Sequence, residues 1–163
     1  MEWRSKTKTM ETKTNKAKKL FKGDFNCAQS TLSVFNKELG LDAATLQNLT
    51  AGFGAGMCYQ GRTCGAVAGA YMALGLYSGK TNADAETVKK NTRELIEKFN
   101  YYFESKHHST LCRELLGVDV STKEGLEEAR KLGVFENHCP NFIILAVEWL
   151  EQNLNKPDYK SKV

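Results

Sequence analysis

Apolar positions along this chain recur at intervals of three and four, the period of an α-helix with one buried face. Lys13 to Phe21 puts Ala17, Leu20 and Phe21 on one side and ends at Gly23. A second apolar set, Cys27, Leu32, Val34, Phe35 and Leu39, follows two candidate N-caps, Asp24 and Asn26, and stops at Gly40. Asp42 starts a third helix with Leu46, Leu49 and Phe53 on one face. A long stripe of Val88, Leu95, Ile96, Phe99 and Phe103 predicts a helix from Asn82 or Asp84 to about Glu104. Ser109 or Thr110 opens a short helix with Cys112, Leu115 and Leu116, and Gly117 closes it. Ser121-x-x-Glu124 is spaced as a capping box for a helix ending at Gly133. Cys139-Pro140 reads as the N-cap and first residue of a last helix carrying Phe142, Ile143, Ala146, Trp149 and Leu150.

Gly61 to Gly79 breaks this amphipathic pattern. From Cys64 to Tyr77 there is no charge, and small residues recur at helical spacing: Gly65 and Gly69, then Ala66, Ala70 and Ala73. A glycine inside a helix costs about 1 kcal/mol against alanine, so Gly65, Gly69 and Gly75 predict close approach by neighbouring helices. The run is glycine-rich and shorter than the roughly 20 apolar residues that span a bilayer. The expectation is a single-domain, all-α bundle of about seven or eight helices packed around a buried central helix, Cys64 to Ser78. Residues 13–155 form the body, between a basic N-terminal arm (1–12) expected to be disordered and a tail (156–163). No internal repeat interrupts it.

Only two prolines and few alternating β-branched runs agree with the all-α reading. The formal charge of +4 is uneven. Residues 1–22 hold eight basic side chains against Glu2 and Glu11, and the other 141 residues hold 15 basic against 17 acidic. A solvated arm is the favoured reading over a nucleic-acid or lipid contact, because no aromatic interleaving accompanies the lysines. No apolar secretory segment follows the basic start, so the cytoplasm is the expected compartment. Five cysteines there are packing residues, redox thiols or metal ligands before they are a disulfide framework.

Four of the five share a position. Cys27, Cys64, Cys112 and Cys139 each fall at or within the first turn of a predicted helix, where unpaired N–H groups and the helix dipole favour a thiolate. A thiolate is both the nucleophile of disulfide exchange and a ligand for soft metals. The separations of 37, 48 and 27 residues form no CxxC, so any joint site is assembled by the fold. Each cysteine taken singly also fits a small buried hydrophobe. Cys58, in the glycine-rich loop, reads as incidental to the site.

These residues carry a resemblance. Asn26-Cys27-Ala28-Gln29-Ser30, the loop Gly52-Phe53-Gly54-Ala55-Gly56-Met57, Cys64-Gly65-Ala66-Val67-Ala68-Gly69, Cys112-Arg113-Glu114-Leu115-Leu116-Gly117 with Ser121-Thr122, and Cys139-Pro140 keep one order from about residue 15 to 152. The chain resembles the C_GCAxxG_C_C family, named for four dispersed cysteines and held to be redox-active largely because of them. In this sequence Cys64 precedes Gly65, whereas the family name writes glycine first. The resemblance implies redox chemistry at the four cysteines and implies no substrate. It leaves the basic arm and Cys58 without a role.

Two chemistries fit the four thiols. They can hold an iron–sulfur cluster, or a single zinc or iron ion, with the full set as ligands. Alternatively, a subset cycles between dithiol and disulfide, one thiolate attacking and another resolving. The chain is then an electron-transfer protein or a thiol oxidoreductase working with a redox partner, and a homodimer is the commonest assembly. The competing reading is a non-catalytic binding or adaptor module whose cysteines only pack. Gly52-x-Gly54-x-Gly56 follows a helix and lacks the Lys-Ser/Thr pair of a phosphate loop. His107, His108 and His138 lie near Cys112 and Cys139 in sequence but read as surface residues. Arg62 and Arg113 adjoin Cys64 and Cys112 and could stabilise thiolates. No Ser-His-Asp set or carboxylate pair points to hydrolysis.

Overall fold

In a computed structural model, which describes residues 11–154, apolar stripes and caps build a helical bundle with no strand among those residues. Most of the expected basic arm, and the tail 156–163, lie outside the described residues. Thr12 caps α1 (Lys13–Lys22) by accepting from the Asn15 N–H, and α1 packs on the last helix. Asn26 is the N-cap of α2 (Cys27–Ser33), in a full capping box with Gln29. α2 ends sooner than the apolar pattern suggests. A turn at Val34-Phe35 leads into the single-turn α3 (Asn36–Leu39), closed by Gly40 at φ 71°. Asp42 caps α4 (Ala43–Thr50), which runs into a 3₁₀ turn at Ala51–Phe53 and a short turn α5 (Gly54–Met57).

α6 (Gly65–Gly79) is the central helix, packed against α2, α7 and α10. Every residue from Gly65 to Ala70 is buried, and Ala66, Val67, Ala70, Ala73 and Leu74 are fully enclosed. Two glycines have the packing reason that their position demands. A Cβ at Gly65 would stand 2.3 Å from Cys27 Sγ, and one at Gly69 would stand 3.0 Å from the Ala28 carbonyl oxygen, so α2 lies directly on the α6 backbone. Gly75 differs. Its Cβ would meet nothing nearer than Thr92 Cγ2 at 4.0 Å, so no close approach explains it.

Asp84 caps α7 (Ala85–His107), which runs one turn beyond the expected end at Glu104. That turn is held by ring contacts: His107 packs on Phe103 (5.2 Å between centroids) and Phe142 (4.8 Å). Leu111 is the N-cap residue of α8 (Cys112–Leu116), while the Ser109 hydroxyl accepts from the Leu111 N–H. The expected capping box at Ser121 is displaced by one. Thr122 caps α9 (Lys123–Leu132), accepting from the Gly125 N–H, and Ser121 bonds Asp119 instead.

The largest departure is α10 (Val134–Leu154). Gly133 closes α9 in the left-handed conformation, and the chain re-enters helix at once. Pro140 therefore sits inside the helix, and Cys139 is not an N-cap. Proline there forgoes its own bond to the Glu136 carbonyl. Burial of Val134, Cys139, Phe142 and Ile143 offsets that loss. No described helix is long and apolar enough to cross a membrane.

Candidate functional site

The N-terminal end of α6 is where the cysteine-bearing elements meet. Cys64 is the N-cap residue of α6, Cys27 and Cys112 are first residues of α2 and α8, and Cys139 lies one and a half turns into α10. All four are buried free thiols, and all four line one cavity of about 540 Å³. Cys58, exposed, lines the same cavity.

Each placement has a local cause. Asn26 and Gln29 bond each other's backbone N–H at 2.9 Å, which fixes the start of α2. Their side-chain amides then donate to α4 and the turn after it: Asn26 Nδ2 to the Thr50 and Ala51 carbonyls, and Gln29 Nε2 to the Gln47 carbonyl at 3.0 Å. Cys27 is thereby seated against Gly65. Thr63 and Leu111 form an isolated antiparallel bridge, with Cys64 N–H donating to the Thr110 carbonyl (2.8 Å) and Cys112 N–H to the Arg62 carbonyl (2.6 Å). Cys64 and Cys112 thus follow their bridge partners on adjoining backbone. Side chains alternate across such a ladder, so both fall on the face opposite Thr63 and Leu111.

Between them runs a segment the sequence did not announce. Ala55, Gly56, Met57, Cys58 and Tyr59 all have φ between 51° and 73°, a full turn in the left-handed region. For a non-glycine residue this costs roughly 1–2 kcal/mol. Backbone bonds hold the turn: Tyr59 N–H to the Gly54 carbonyl, Gly61 N–H to Ala55 and Arg62 N–H to Gly56. Arg113 clamps it from outside, donating from Nε to the Gly61 carbonyl (3.0 Å) and from Nη2 to the Gln60 carbonyl (3.2 Å). Gly56 has to be glycine, because a Cβ there would stand 2.6 Å from Cys112 Cβ.

Electrostatically the four thiols follow their burial and not the thiolate preference of a helix start. Burial pushes the Cys64 thiol far up, and the nearby Cys27 and Cys112 sulfurs add to the shift. Cys112 is pushed up to about 12 by burial and by Cys27, with Arg113 opposing. Cys139 is raised by burial, by the other three sulfurs and by Glu136. Cys27 is also raised by burial, although the N–H groups of Ala55, Cys27, Ala28 and Gly65 oppose it. Helix N-termini do not overcome this desolvation. Native protein with metal-free thiols should therefore take up one equivalent of iodoacetamide quickly at pH 8, at Cys58. Mass mapping should find the other four modified only in denaturant or as the pH climbs towards 12.

No three Cys, His, Asp or Glu side chains among the described residues converge closely enough to share one ion. A mononuclear four-sulfur site needs all sulfurs about 2.3 Å from one point, so the single zinc or iron ion fits poorly. The histidines do not help: His108 and His138 are exposed, His107 is half-buried between phenylalanines, and none lines the cavity. Arg62 is exposed, and Arg113 is committed mainly to the Gly61 turn.

The family model described as "Putative redox-active protein (C_GCAxxG_C_C)" matches residues 25–153, most of the chain. The chain belongs to the C_GCAxxG_C_C family. No curated protein and no solved structure matches it. All four cysteines singled out in the sequence lie within the matched span, as does Cys58. The C_GCAxxG_C_C signature glycine-alanine run is the buried first half of α6, the surface on which α2 rests.

Proposed function

We propose that this protein transfers electrons through an iron–sulfur cluster held by Cys27, Cys64, Cys112 and Cys139. The observation that carries the reading is convergence: cysteines from four separate helices line a single cavity. Their mutual effect supports it too. Each of Cys64, Cys112 and Cys139 is made harder to ionise by at least one of the other sulfurs, so the set ionises together only around a cation. A cluster spreads its ligands over several metal atoms, which suits sulfurs that do not converge on one point. When bound, such a group accepts and releases single electrons at a potential set by its surroundings. The chain supplies those surroundings: the N–H groups around Cys27 stabilise negative charge on its sulfur, and the enclosing apolar wall limits water.

A dithiol reading has one observation in its favour, the adjoining backbone of Cys64 and Cys112. Their oxidation to a disulfide would release two electrons and two protons, reducing an acceptor disulfide to two thiols. Iron and labile-sulfide content, with a visible spectrum on protein purified without oxygen, separates the two. Iron with sulfide and charge-transfer absorption is the expected result. Metal-free protein with two or more fast-reacting native thiols would replace the cluster with the dithiol, and metal-free protein with only Cys58 reactive would leave a packing module.

A further inference from the structure

The cavity is larger and more aromatic than four sulfurs require. Its volume, about 540 Å³, lies within the roughly 300–1,000 Å³ typical of small-molecule pockets. Its apolar wall includes Phe21 on α1, Phe25 just before α2, Leu115 on α8, and Phe135 and Phe142 on α10. Phe135, Cys139 and Phe142 are spaced i, i+4 and i+7, so one stripe of α10 runs from this wall past a cysteine. Of the four phenylalanines left half-buried, Phe21, Phe25 and Phe135 line the cavity. Phe25 is the telling one. Among the described residues it belongs neither to the buried core nor to the side chains packed against it. A phenylalanine left off the core, in a recess with two more half-covered rings, is apolar surface awaiting a cover.

The rim settles the ligand's charge. Arg130, Asp24 and Glu136, all exposed, line the opening, giving one cation and two anions. Among the described residues the Arg130 side chain makes no ion pair or hydrogen bond. Such a rim offers a donor fork and carboxylate acceptors to a ring with both kinds of polar edge, and it opposes a multiply charged anion.

We propose that the outer half of the cavity binds a small, uncharged, planar heteroaromatic molecule between its phenylalanines, with Arg130 and Glu136 reading its polar edge. The inference does not depend on the cluster reading, since the aromatic wall exists whatever the cysteines hold. Together the two would place such a ring beside the sulfurs, where an electron-accepting heterocycle is useful.

Lumiflavin, an uncharged fluorescent isoalloxazine, is a suitable probe. Titrated with the protein as purified, its anisotropy should rise to saturation at one per chain. Phe25→Ala and Phe135→Ala should each weaken binding by about tenfold, the loss expected for one stacked ring and its buried area. Riboflavin 5′-phosphate should bind at least about tenfold more weakly, because its phosphate meets Asp24 and Glu136. Leu115→Trp, which fills the recess, should abolish binding, and far-UV circular dichroism on every variant identifies any that fail to fold. Absence of saturable binding, or folded phenylalanine variants that bind as the parent does, would overturn the proposal. Equal affinity for the phosphate would overturn its charge assignment. Iron measured on the same samples keeps the two readings apart: lumiflavin binding without iron leaves this site standing and removes the cluster, and the converse does the reverse.

Discussion

Cys64→Ser should remove nearly all bound iron and the visible charge-transfer band while far-UV helicity stays close to that of the parent. The main-chain bond that fixes this residue, from its N–H to the Thr110 carbonyl, survives the change, and serine is a good N-cap. A buried hydroxyl in place of a thiol costs about 1–3 kcal/mol if unpartnered, which lowers the melting temperature without unfolding the chain. Cys58→Ser is the control, because its side chain is exposed and the change leaves the four buried cysteines in place. It should keep the iron of the parent. Equal losses of stability in serine variants of Cys27, Cys64, Cys112 and Cys139, with no change in iron or redox behaviour, would mean that these cysteines only pack.

Helix existence was readable where the cause is local. Asn26, Asp42 and Asp84 cap helices because a short polar side chain can reach N–H groups two or three residues on. Gly40, Gly117 and Gly133 end helices because each takes a left-handed φ. Of the cysteines, Cys27 was readable for the same reason, since it follows the Asn26 cap, whereas Cys64 and Cys112 start helices without a side-chain cap. Cys139 was not readable. Its Pro140 is locally the signature of a helix start, and only the apolar face shared by Val134 and Phe142 carries the helix back across it.

Two features that shape the site had no signal in the sequence at all. The left-handed turn from Ala55 to Tyr59 contains a single glycine, and nothing in Ala55, Met57, Cys58 or Tyr59 asks for positive φ. It is imposed from outside, by Arg113 on the Gly61 turn and by Cys112 against Gly56. The protonation of the cysteines is similar. Helix position is visible in a sequence, whereas burial depth and the nearness of other sulfurs are not, and these dominate at Cys64, Cys112 and Cys139. A motif that promises reactive thiolates thus folds into a site where burial and neighbouring sulfurs favour the thiol form.

The same methyl group added at two points of α6 should have opposite effects. At Gly65 an added Cβ would lie 2.3 Å from Cys27 Sγ, 2.8 Å from the Phe53 carbonyl oxygen and 3.1 Å from the Ala28 nitrogen. Two of these neighbours are backbone, and the third is held where the Asn26–Gln29 capping box starts α2, so none yields cheaply. Alanine's helix preference returns about 1 kcal/mol, while overpacking a tight core typically costs about 1–3 kcal/mol and here also drives Cys27 from its place. Gly65→Ala should therefore lower the urea midpoint and the iron content together. At Gly75 the nearest atom to the new methyl would be Thr92 Cγ2 at 4.0 Å, so Gly75→Ala should raise the midpoint by up to about 1 kcal/mol of stability and leave iron unchanged. Should Gly65→Ala match Gly75→Ala in both readouts, α2 does not rest on α6 as described, and the seat of Cys27 is lost with it.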